Sequence, residues 1–173
     1  MIIEAIPRKD RLHEGRVLNE FMRMSFEKVV LNRISYKKDL LTMLDDTRMI
    51  NGFNYVHLSG HGDVTKKKAA FKCPYGWIVP DEFPCGCFED RTVALSGCQL
   101  GKTAFIEPFM NQTEARNVIA PQRDVPFVDA AVWFVNFYYF ALHHEKSSWT
   151  AFEMTNQHLR GRALGAFKFW NQG

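Results

Sequence analysis

Two short segments govern what this chain can fold into. Tyr55-Val56-His57-Leu58-Ser59-Gly60-His61-Gly62 and Thr92-Val93-Ala94-Leu95-Ser96-Gly97-Cys98 are each largely apolar, stop at Ser-Gly, and then present a reactive side chain. A short apolar run bounded by turn residues reads as a strand buried on both faces, which is the condition of a parallel sheet. In open α/β sheets, sites form just beyond the carboxyl ends of such strands. A histidine and a cysteine delivered there on neighbouring strands supply a nucleophile and its proton acceptor.

The rest of the chain alternates in the same sense. Ile2 to Ile6 reads as a first strand ended by Pro7, and Val17, Leu18, Phe21 and Met22 give helical spacing between Asp10 and Lys28, with Gly15 weakening the first turn. Val29 to Tyr36 is a second strand. Lys38 to Ile50 is a helix stopped by Asn51-Gly52, and Phe53 to Ser59 is the third strand. Asp63 to Asp90, with Pro74, Pro80 and Pro84, reads as irregular except for a short strand at Trp77-Ile78-Val79. Thr92 to Ser96 is a strand, and Lys102 to Ala115 a helix that Pro108 should kink or shorten. Asn117 to Ala120 is a further strand. Helices over Phe127 to His143 and Trp149 to Arg160, then a strand over Ala166 to Trp170, complete the pattern. Strands alternating with helices predict an α/β fold, a mostly parallel central sheet flanked by helices. A chain of 173 residues suits a single domain spanning 1–173.

Composition excludes several classes of function. A formal charge of +3 is too small to argue for nucleic acid, and the basic run Lys66-Lys67-Lys68 reads as a solvated loop. The start, Met1 to Pro7, lacks the basic and apolar regions of a signal peptide. Phe127 to Leu142 is interrupted by Asp129 and Asn136 and falls short of the ~20 residues a membrane span needs. Four cysteines without an export signal read as thiols. A soluble, cytoplasmic protein with no membrane or nucleic-acid partner is expected.

A thiol is a poor nucleophile until it loses its proton, and a nearby imidazole promotes that loss. Cys98 lies between Ser96-Gly97 and Gln99-Leu100-Gly101, a strand-to-turn context that exposes sulfur. Gly62 leaves its N–H unobstructed beside His61. Backbone N–H groups aimed at a developing oxyanion are often a large catalytic contribution. Read singly, His61 and Cys98 are ordinary residues at strand ends. Read together, each ends an apolar run and each follows Ser-Gly.

With these motifs the sequence resembles the caspase-like cysteine peptidases, most of all the CHAT branch. Ser59-Gly60-His61-Gly62 and Ala94-Leu95-Ser96-Gly97-Cys98 carry the resemblance, and Ala104 to Phe109 and Val125 to Leu142 look like that branch's later elements. The resemblance implies a caspase-haemoglobinase fold, with His61 and Cys98 as the catalytic pair and the N–H groups of Gly62 and Cys98 as oxyanion hole. It implies hydrolysis of a peptide or protein substrate through a thioester acyl-enzyme, without a cofactor. Activation through a separate activator protein or a homodimer is expected, and a catalytically idle interaction module is the alternative. No third catalytic residue carries over; Asp63 and Gln99 are adjacent candidates.

Other residues read more plainly. Cys73, Cys85 and Cys87 with His57 or His61 could ligate a metal, but the C-x-C at Cys85 and Cys87 departs from structural zinc spacing, so no metal is expected. His57, mid-strand, reads as a satisfied core histidine. His143-His144 read as a helix end, where positive charge favours the dipole. For a pocket beside the scissile bond, Asp63, Asp124 and Asp129 would favour a basic substrate residue and Arg8 an acidic one.

Overall fold

The computed structural model describes residues 1–10, 13–24, 28–64, 69–159 and 165–172. Its centre is a six-stranded sheet built from β1 (Ile2–Glu4), β2 (Leu31–Arg33), β3 (Tyr55–Ser59), β7 (Thr92–Leu95), β8 (Asn117–Pro121) and β9 (Phe167–Asn171). The strand order is β2-β1-β3-β7-β8-β9. All neighbours pair in parallel except β8 and β9, which are antiparallel. The chain runs outward from β1 to β2, then returns past β1 to β3. That reversal makes a switch point between β1 and β3, where strand ends splay and leave a crevice.

Helices cover both faces. On one side lie α2 (Lys37–Asp45) and α4 (Thr103–Thr113), whose Leu40, Leu44, Phe105 and Phe109 pack with Ile3, Val56, Leu58, Val93 and Leu95. On the other lie α1 (Glu14–Arg23), α5 (Phe127–Tyr138) and α6 (Ser148–His158), with Leu18, Trp133, Phe134 and Phe152 packed on Ile2, Ala94 and Ile119. Strand side chains therefore alternate between two cores, which is why these strands carry apolar residues at nearly every position. Phe109 meets Phe83 and Phe105 with ring centroids 5.0 and 5.4 Å away. Trp133 stacks on Phe167 at 4.3 Å. Each such ring, fully buried, contributes ~1.5–3 kcal/mol through removal from water.

The α/β class and the mostly parallel sheet agree with the sequence pattern, and four elements differ from it. Lys38 to Ile50 is two helices, α2 and α3 (Thr47–Ile50), because Asp46 leaves helical geometry and accepts the Arg48 N–H at 3.1 Å as a cap. The stretch after Asp63 is largely ordered: β4 (His61–Val64), β5 (Ala69–Cys73) and β6 (Gly76–Ile78) form an antiparallel three-stranded sheet. Helix α5 gives way at Tyr139 to a π-helical turn, Tyr139–His143. Pro108 does not end α4, which runs unbroken to Thr113. The lysines at 66–68 and Arg160 lie outside the described residues. No described helix is long and apolar enough to cross a membrane.

Candidate active site

The register between β3 and β7 sets the geometry. Leu58 pairs with Leu95, and the Ser96 N–H donates to the Leu58 carbonyl at 3.0 Å. His61 and Cys98 each lie three residues beyond that pair, so the two chains emerge from the sheet in step. Backbone contact continues past the sheet. A Cβ on Gly62 would lie 2.2 Å from the Cys98 carbonyl oxygen, and one on Gly97 would lie 3.0 Å from the Gly62 nitrogen. Neither glycine has positive φ, so it is this close approach that requires them. The structure brings His61-Gly62 and Gly97-Cys98 side by side.

His61 is the first residue of β4, in register opposite Lys72 of β5. Its Nε2 is 2.9 Å from Oδ2 of Asp10, and its ring meets Phe127 edge-on with centroids 5.1 Å apart. Asp10 belongs to a 3₁₀ turn, Arg8–Asp10, that follows β1 across the switch point. The sequence offered no signal for this partner, which stands 51 residues away. Asp63 and Gln99 do not take that place. Asp63 pairs with Ala70 within β4 and β5, and Gln99 is held by Asp124 at 2.8 Å and by Lys102.

Cys98 is half-buried, with its Sγ 3.6 Å from the Val125 carbonyl oxygen. Burial pushes its thiol up from the ordinary value, and the negative charge of Asp124 adds to that rise. The resting sulfur is therefore protonated near neutral pH. Gln99 follows in the left-handed region at φ 63°, a conformation uncommon outside glycine. Asp124 and the Arg123 carbonyl, which accepts the Gln99 N–H at 3.4 Å, hold that turn.

Beside His61 opens a cavity of about 680 Å³, with Arg8, Asp10, Tyr36, Lys72 and Tyr75 in its wall. Tyr36 and Tyr75 stack at 5.0 Å, joining the end of β2 to the turn after β5. Arg8 is thus at the site, whereas Asp124 stands near Cys98 and Asp129 is on the first turn of α5. A second cavity, about 310 Å³, lies at the opposite ends of the strands against Phe53, Tyr55 and Tyr138.

The remaining thiols do not resemble Cys98. Cys73 and Cys87 are buried, and burial pushes both up to about 12; Cys85 is exposed. Among the described residues, no three His, Cys, Asp or Glu side chains are grouped to hold a metal ion. His57 is in the core as expected, wholly buried, with Nδ1 3.1 Å from the Tyr138 hydroxyl. It is not the fully satisfied histidine the sequence suggests: Nε2 stands 3.6 Å from Glu14 and has no hydrogen-bond partner among the described residues. Glu14 accepts the Ser59 hydroxyl at 2.5 Å, forming a buried polar cluster behind β3. His143 ends the π-helical turn and stacks on Tyr139. Compared with models of known families and with curated proteins, the sequence matches none.

Proposed function

We propose that this chain is a cysteine endopeptidase acting through Cys98 and His61. The observation that carries the reading is the in-step emergence of both residues from paired strands β3 and β7, with Gly62 and Cys98 in backbone contact. The motif resemblance to the CHAT branch, and the mostly parallel sheet with helices on both faces, support the same assignment and the caspase-haemoglobinase fold.

In the proposed reaction, His61 takes the Cys98 proton as sulfur attacks the scissile carbonyl carbon. The N–H groups of Gly62 and Cys98 receive the oxyanion that forms. Collapse breaks the C–N bond, and His61 returns its proton to the departing amine, leaving a thioester. Water, deprotonated by His61, then adds to the thioester carbon. Collapse breaks the C–S bond, the departing sulfur takes the proton back from His61, and the product acid releases its proton to solvent as carboxylate. A protonated resting thiol fits this order, because proton transfer then accompanies attack.

The idle interaction module has one observation in its favour, the burial that holds the Cys98 thiol protonated. A peptide library separates the two readings. The peptidase requires peptides cleaved by the wild type and left intact by Cys98→Ala and His61→Ala. Equal cleavage by all three proteins, or by none, removes it.

A further inference from the structure

We infer that Asp10 is a positioning residue that fixes the His61 ring and selects which of its nitrogens serves as base. The inference rests on the peptidase reading above and adds a third member to its pair. A carboxylate offers only lone pairs, so Oδ2 of Asp10, 2.9 Å from Nε2, accepts the proton that Nε2 carries. In the neutral ring that leaves Nδ1 bare. Nδ1 is then the nitrogen able to take the Cys98 proton, and the Asp10 charge stabilises the imidazolium that results.

The surroundings explain why such a partner is needed. His61 follows β3 after Gly60, partly exposed, with Phe127 edge-on to its ring. Lys72 stands directly opposite it across the β4–β5 ladder, and Arg8 and Lys9 line the same cavity. These three cations oppose a positive charge on His61. Among the described residues, Asp10 is the carboxylate in hydrogen-bond contact with it; Asp63 lies two residues along the same strand, and Asp124 faces Cys98. The fold delivers Asp10 by the switch point, since β1 and β3 are neighbours and the turn after one meets the residue after the other.

A half-exposed ion pair contributes little to stability. Its loss should therefore show in rate and leave Tm unmoved. The experiment is alkylation of Cys98 by iodoacetamide in the full chain at neutral pH, read by mass spectrometry of the Cys98 peptide. Four proteins are compared: wild type, His61→Ala, Asp10→Ala and the double variant. Asp10→Ala is expected to slow labelling about 10- to 100-fold, a share of the ~10²–10⁴-fold general-base contribution. In the His61→Ala background the same change should do nothing, because Asp10 acts through the imidazole. Asp10→Glu should restore part of the rate. On a cleaved peptide, Asp10→Ala should lower kcat and leave KM in place.

Wild-type labelling in Asp10→Ala, with His61→Ala slow, would overturn the inference and leave the Cys98–His61 pair standing. So would an Asp10→Ala penalty that persists at full size without His61, which would mark a structural effect. If His61→Ala itself labels at the wild-type rate, the peptidase reading falls and Asp10 falls with it.

Discussion

Gly62→Ala is the sharpest test of how the two strand ends meet. The added Cβ would stand 2.2 Å from the Cys98 carbonyl oxygen and 2.6 Å from Leu100 Cγ. Carbon and oxygen settle at about 3.3 Å or more, so the segments must part by about 1.1 Å. Gly62 has no positive φ, and alanine there suffers no backbone penalty; the whole effect is steric. Overpacking of this kind costs about 1–3 kcal/mol. For a domain of this size each kcal/mol lowers Tm by about 2–4 °C, giving a fall of about 2–12 °C by calorimetry. The same displacement moves a proposed oxyanion donor off target, and a misplacement near 1 Å lowers turnover about 100-fold. The variant should therefore melt lower and cleave far more slowly, while Cys98 remains present for alkylation under denaturing conditions. An alanine variant with wild-type Tm and wild-type cleavage would refute the backbone contact, and with it the oxyanion geometry built on it.

Three further outcomes follow from the same structure. Native iodoacetamide labelling should reach Cys85 and Cys98 and spare Cys73 and Cys87, which are buried with thiols pushed up to about 12; equal labelling of all four in the folded protein would contradict that burial. The Cys98 thiol is raised, so in His61→Ala its labelling should climb with pH beyond the ordinary thiol value of about 8.5, and a plateau near pH 6 would mean a preformed thiolate instead. Tyr138→Phe removes the hydroxyl that meets His57 Nδ1 and should lower the urea unfolding free energy by about 1 kcal/mol with an unchanged m-value; an unchanged midpoint would show that the contact contributes nothing.

The sequence pattern read the sheet well where burial acts on both faces. β3 and β7 are apolar at every face because two cores press on them, and that pressure is visible residue by residue. The meeting of the segments that carry His61 and Cys98 was legible for the same reason, since Ser-Gly closes both runs. The β4–β6 sheet was not. His61-Gly62-Asp63-Val64 carries a glycine and two polar residues, and its strand character comes from pairing with Ala69–Cys73 rather than from its own composition. Asp10 was hidden more deeply. It looked like the opening of a helix, and only the adjacency of β1 and β3 turns it toward an imidazole far along the chain.

The interlocked glycines have a consequence for how this protein would fail. In the proposed site the attacking atom and the oxyanion donors follow β3 and β7, neighbours in one sheet, and the glycines hold the two segments in close backbone approach. Warming cannot loosen the machinery before it loosens the scaffold. Peptide cleavage should then vanish over the same narrow temperature interval in which the far-ultraviolet signal collapses, rather than fading ahead of it.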